Sequence, residues 1–248
     1  MDLGQLSLRS LKGRGADRAI CIGGAGSGKS TLADELGADW DARYEAADGR
    51  RLILDAKPRY RAEHLPTGTT ARRRYKHWSH GAAVPRSMVV ETPEDLDLCW
   101  RTGHRVAIAQ GDSDRDIPRL LAIAEAYLQG GRANRPQLLH VDEMLYFFGP
   151  TGHPKGGSDV LKRYVVGGRE RGVGSLMCSQ RTKGFPPSVL EEVNRLYLFR
   201  LDFIDDVKRL REMGAPVEDV DVPRKEYEFM YWTKRDYDTL YGPYKLRK

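Results

Sequence analysis

Residues 18–32 read RAICIGGAGSGKSTL: a strand-like apolar run, a glycine-rich turn and the opening of a helical pattern. The turn fits G-x-x-x-x-G-K-[ST], with Gly23, Gly28, Lys29 and Ser30 in the four defining places. A strand before it and a helix after it are the context in which this pattern is a phosphate-binding loop. Backbone N–H groups wrap a polyphosphate only where side chains leave room, which explains glycine among Gly23, Gly24, Ala25, Gly26, Ser27 and Gly28. Lys29 then reaches the β- and γ-phosphates, Ser30 ligates Mg²⁺, and Thr31 follows at the helix N-terminus, whose dipole end is positive. The expected ligands are ATP and Mg²⁺.

Outward from this loop, apolar strand-like runs recur at 18–22, 51–56, 87–92, 105–110, 138–143, 174–180, 196–201 and 227–232. Between them lie helix-period stretches: Leu32, Leu36 and Trp40 fall at four-residue steps, residues 117–129 repeat apolar positions before Gly130, and another helix starts at Ser158 and Asp159. Alternating strands and helices predict an α/β fold, a mostly parallel central sheet with helices on both faces. No repeat or linker divides the chain, so a single domain is expected over 1–248. Its core covers about 17–204, and 205–248 forms a helix/strand extension ending in the basic tail YGPYKLRK.

Composition narrows the class. The chain has 248 residues, with 41 Lys+Arg against 35 Asp+Glu for a net charge of +6; hydrophobic residues are 40% and charged residues 31%. That is too apolar for a disordered chain. No apolar run approaches the length of a bilayer span, and none at the N-terminus resembles a signal peptide, so no membrane anchor and a cytoplasmic location are expected. Cys21, Cys99 and Cys178 are widely spaced, giving neither a disulfide framework nor a zinc site; Cys21 and Cys178 read as small core residues.

The second acidic motif separates hydrolase from kinase. LLHVDEM is an apolar strand ending in Asp142 and Glu143. Asp142 would hold Mg²⁺, usually through water, and Glu143 would polarise the attacking water, a base that a hydrolase needs and a kinase does not. The long separation from Lys29 leaves room for additional strands, as in RecA-like (ASCE) P-loop NTPases with a catalytic glutamate, and no N-K-x-D guanine motif is present. Gln180 closes a later apolar strand, where its amide would reach the γ-phosphate or the lytic water.

The order Gly168-Arg169, Gly172, a strand ending in Gln180-Arg181, a Pro-bearing turn, a short helix, Asn194 and LYLFRLD resembles the FtsK/HerA superfamily of DNA-pumping ATPases. LILDAKPRY, residues 52–60, is similar to that family's second strand. The resemblance spans about residues 17–204. It implies a homo-oligomeric ring, hexameric or pentameric, that threads double-stranded DNA using ATP. It also implies an arginine acting across the subunit boundary; Arg169 matches best and Arg171 second. A membrane anchor, a duplex-orienting domain and an N-terminal barrel are not expected in this chain. Among the superfamily the chain is therefore most similar to viral and bacteriophage genome-packaging ATPases, which dock on a portal or capsid vertex.

A ring motor contacts phosphates through cationic loops. Lys57, Arg59, Arg61, Arg72, Arg73, Arg74, Lys76 and Arg86 face only Glu63 between 57 and 86, with aromatic residues interleaved. Arg72, Arg73, Arg74 and Lys76 are candidate DNA contacts. The same cluster also suits a solvated loop, a portal, an RNA or a neighbouring subunit. Lys155, in the glycine-rich loop after the DE strand, is the candidate pore residue. A HerA-like helicase or plasmid-transfer ATPase, and an ATP-dependent assembly switch without DNA transport, are the competing functions.

Overall fold

The computed structural model describes residues 6, 8, 16–62, 75–77, 83–130, 135–148, 159–168 and 172–246. Every residue of β1 (Arg18–Ile22), β8 (Gln137–Val141) and β9 (Val173–Ser179) is buried. Strands covered on both faces belong in the middle of a parallel sheet. The sheet they enter is nine-stranded. From one edge it runs β12 (Tyr241–Lys245), β11 (Glu228–Thr233), β10 (Arg195–Leu198), β1, β9, β8, β2 (Arg50–Asp55), β7 (Val106–Gln110) and β6 (Ser87–Val89). From β10 to β6 all neighbours are parallel; β11 and β12 return antiparallel. β9 lies between β1 and β8, so the phosphate loop and the DE pair leave strands two places apart.

The two faces are covered unequally. On one, α2 (Pro93–Arg101), α3 (Ile117–Gln129), α4 (Asp159–Gly167), α5 (Pro187–Glu192) and α6 (Ile204–Glu212) pack Leu96, Leu120, Tyr164, Leu190 and Leu210 against Ile20, Ile22, Leu52 and Leu139. On the other, α1 (Lys29–Arg43) sets Leu32, Leu36 and Trp40 on Ala19, Cys21, Leu176 and Cys178. Trp40 is fully buried, and truncating such a ring costs about 3–5 kcal/mol, so it fixes the helix that carries the phosphate loop. The rest of this face lies under a small antiparallel sheet of β3 (Tyr60–Ala62), β4 (Tyr75–His77) and β5 (Ala83–Val84), with Tyr60 and Val84 on Ile53, Val106 and Ile108.

All eight expected strands are present, most within a residue or two of their expected ends. The run at 87–92 stops at Val89 because Thr92 and Pro93 begin α2. There the Asp95 carboxylate accepts N–H groups of Glu91 and Thr92, each at 2.9 Å. Part of the expected basic tail is the edge strand β12, paired to β11.

Candidate functional site

The carboxyl ends of β1, β9, β8 and β2 converge, and ligands of open α/β sheets bind at such ends. Beyond β1, the Gly23 N–H donates to Ser179 O at 3.3 Å and the Gly24 N–H to Arg200 O at 2.7 Å. A Cβ on Gly23 would stand 2.5 Å from the Phe199 Cβ. Its glycine is therefore required by β10 packing, not only by phosphate approach. Gly28 precedes α1 at φ +105°, a left-handed conformation that side chains resist. Lys29 is 8% exposed and its Nζ donates to Gly24 O at 2.8 Å. Burial pushes its pKa below the ordinary lysine value, while Cys178, Glu143 and Asp142 act the other way.

A cleft of about 370 Å³ runs from Ala25 through Gly26, Ser27, Gly28, Lys29, Ser30 and Thr31 to Asp142, Glu143 and Gln180. The structure thus brings together residues from the loop, the DE pair and the end of β9. Ser30 Oγ donates to Asp142 Oδ1 at 3.0 Å. This hydroxyl and carboxylate at the cleft are hard oxygen donors, a set that fits Mg²⁺. Burial raises the Asp142 carboxyl to about 7, against the opposing pull of Arg59. Glu143 is 3% exposed, and its carboxylate accepts the Gln180 N–H at 3.4 Å and the Leu145 N–H at 3.5 Å.

Three lining residues were not expected here: Lys57, Arg59 and Tyr227. Arg59 donates to Ser30 Oγ at 2.9 Å and forms an ion pair with Asp142, so one guanidinium touches both groups suited to the metal. Its loop is held by Asp55, whose carboxylate accepts the Arg59 N–H at 2.5 Å and Gln110 Nε2 at 3.1 Å. Burial opposes the Arg59 charge, yet Asp142 and Asp55 outweigh it and raise the pKa. Lys57 lies over the Tyr146 ring at 5.1 Å. Three cations of the basic segment have neighbours of another kind. Lys57 and Arg59 turn into the cleft, and Arg86 pairs with Glu45 at 2.5 Å.

Lys76 lies in the middle of β4, in register with Arg61 and Ala83. Arg72, Arg73, Arg74, Lys155, Arg169 and Arg171 fall outside the described residues. His140, Asp142 and Cys178 come within 4.8 Å of one another, a grouping that spacing along the chain does not reveal. The hydrogen bond between the Cys178 thiol and Cys21, then burial, hold that thiol well above its ordinary pKa. A larger cleft of about 880 Å³, between α3 and α4, is lined among the described residues by Glu125, Asp159, Lys162 and Arg163, which are not buried. No helix among the described residues is long and apolar enough to cross a membrane.

No family model and no curated protein matches the chain. Solved structures do. The genome packaging NTPase B204 from Sulfolobus turreted icosahedral virus 2, in complex with AMP, aligns with TM-score 0.63 at 15% identity, over 94% of this chain and 98% of that one. EssC (ATPases 2 and 3) from Geobacillus thermodenitrificans aligns with TM-score 0.57 at 13% identity, over 88% of this chain and 38% of that one. The pCW3 conjugation coupling protein TcpA with ATPγS aligns with TM-score 0.53 at 10% identity, over 90% and 61%. At these identities the likeness is one of fold. The chain has the α/β P-loop fold of these solved ATPases, among them a viral genome-packaging NTPase.

Proposed function

We propose that this chain is an ATPase that drives double-stranded DNA into a viral or phage capsid as a ring of five or six copies. The observation that carries the reading is the cleft in which Lys29, Ser30, Asp142, Glu143 and Gln180 meet at the strand ends. The full-length likeness in fold to a packaging NTPase supports it.

In this reading the N–H groups of the loop and of the first turn of α1 receive the β- and γ-phosphates, with Lys29 neutralising their charge. Ser30 and Asp142 would hold Mg²⁺, which would supply positive charge against the phosphates. Glu143 orients a water and takes its proton as the new P–O bond forms and the bond to the β-phosphate oxygen breaks, leaving ADP and phosphate. Gln180 steadies the water or a γ-oxygen. Arg169 of a neighbouring copy, with Arg171 as second candidate, stabilises charge on the transferred group. Lys155 and the Arg72, Arg73, Arg74 and Lys76 cluster contact the DNA backbone, with a portal or capsid vertex as the docking partner.

The likeness to a conjugation coupling protein favours a second reading, DNA transfer outside packaging. Both readings require hydrolysis stimulated by double-stranded DNA of any sequence. They also require DNA affinity that falls steeply with salt as counterions are released. Hydrolysis indifferent to DNA, with a flat salt dependence, would leave an assembly switch as the better account.

A further inference from the structure

The flanks of the phosphate loop differ, and one of them ends on an aromatic ring. The groups suited to metal and water, Asp142, Glu143 and Gln180, leave β8 and β9, on one side of β1. A nucleotide whose γ-phosphate faces them extends its nucleoside toward the opposite side, where β10 and β11 lie. Tyr227 stands there, immediately before β11, and lines the same cleft.

Its backbone is unusual. Tyr227 has φ +61°, left-handed and disfavoured for a bulky side chain. Two hydrogen bonds hold it there: its N–H donates to Ser27 O, inside the phosphate loop, at 2.9 Å, and its carbonyl accepts the Leu246 N–H at 2.8 Å. The ring lies against the loop, with Cδ1 3.1 Å from where a Cβ on Gly28 would stand. Disfavoured backbone held by its surroundings clusters where a ligand is clamped. Its shown neighbours in the loop are Ser27 and Gly28, and the loop residues that line the cleft with it, Ala25, Gly26, Ser27, Gly28 and Thr31, carry few side-chain groups able to read the edge of a base.

Resting on the nucleotide-site reading above, we infer that Tyr227 is the base platform of this site. Its ring packs on the face of the nucleobase, so the base is held by stacking and only weakly discriminated by its hydrogen-bonding edge. The β11–β12 pair then serves to clamp this ring onto the loop through Ser27 and Leu246.

The test compares binding of ADP with binding of inorganic tripolyphosphate, which has the phosphates but no base, by calorimetry on the full chain. Tyr227→Gly is the informative variant, because glycine adopts φ +61° without strain and the substitution removes only the ring. Stacking on an aromatic side chain is worth about 1–3 kcal/mol, roughly a 5- to 150-fold loss of affinity. Tyr227→Gly is expected to lose ADP affinity in that range with tripolyphosphate unchanged, and Tyr227→Phe to bind both as the parent does. Equal loss of both ligands would mean that the residue only shapes the loop, and unchanged ADP affinity would mean that the ring touches no base. Either result overturns the proposal. If the parent chain binds neither ligand, the nucleotide-site reading itself fails and takes the proposal with it. A parent that binds both while the Tyr227→Gly pattern is absent leaves that reading intact.

Discussion

On the β9–β8–β2 flank of the phosphate loop the cleft is lined by ionisable groups, Asp142 and Glu143 buried among them; on the β10–β11 flank its described lining includes the Tyr227 ring. The first flank pairs its charges tightly: Arg59 with Asp142 and Ser30, Asp55 with the Arg59 backbone and Gln110. The second is held by hydrogen bonds between main-chain groups distant in sequence, Tyr227 to Ser27 and Leu246 to Tyr227. Charge development belongs to the first flank and apolar recognition to the second. Substitutions on the two should therefore fail differently, one in turnover or metal dependence and the other in affinity for the base.

The largest expected effect concerns the arginine proposed to act on the first flank from a neighbouring copy. Arg169→Ala should bind ATP as the parent does but lose hydrolysis by about 10³- to 10⁵-fold. Activity should return when these subunits are mixed with Glu143→Gln subunits in rings shown by pull-down to contain both. Mixed rings that stay silent would point to Arg171, tested by repeating the mixture with Arg171→Ala.

Arg59 offers a smaller effect on the same flank. Its guanidinium holds the Ser30 and Asp142 oxygens suited to Mg²⁺, so Arg59→Ala should lower the Mg²⁺ concentration needed for half-maximal ADP binding several-fold. A fall in ADP affinity at unchanged Mg²⁺ dependence would instead make Arg59 a phosphate contact.

The smallest effect is a control away from both flanks. Asp95→Ala removes the acceptor of two N–H groups at the start of α2, which costs about 0.5–1 kcal/mol of stability. Nucleotide binding should not change. Hydrogen bonds, first from the Glu91 N–H, hold the Asp95 carboxyl below the ordinary carboxylate range. The stability difference from the parent should therefore be full above that range and vanish as pH falls through the lowered pKa. Thermal unfolding against pH measures it.

The same contrast explains what was legible in the sequence. The first flank is written in local patterns. The loop follows its strand directly, and Asp142 and Glu143 end an apolar run, so strand ends alone place them in one site. Arg59 escaped because it is one of many cations in its segment, and no pattern distinguishes a guanidinium that folds onto Asp142 from one that faces solvent. Tyr227 escaped because its role depends on β11 pairing antiparallel beside β10, a tertiary outcome with no local signal. The small sheet was unreadable for another reason: β3, β4 and β5 are two or three residues long, too short to show alternation. α2 did carry a signal, T-P-E-D with Pro at its first position, which apolar periodicity alone passed over.

The central claim is that the cleft between the phosphate loop and the DE pair hydrolyses ATP with Glu143 as the base. Single-turnover hydrolysis and equilibrium ATP binding, measured side by side for the parent and Glu143→Gln, test it most directly. The expected result is ATP affinity within about twofold of the parent with hydrolysis reduced by about 10²- to 10⁴-fold, the usual contribution of a general base. Near-parental hydrolysis by Glu143→Gln would contradict the account.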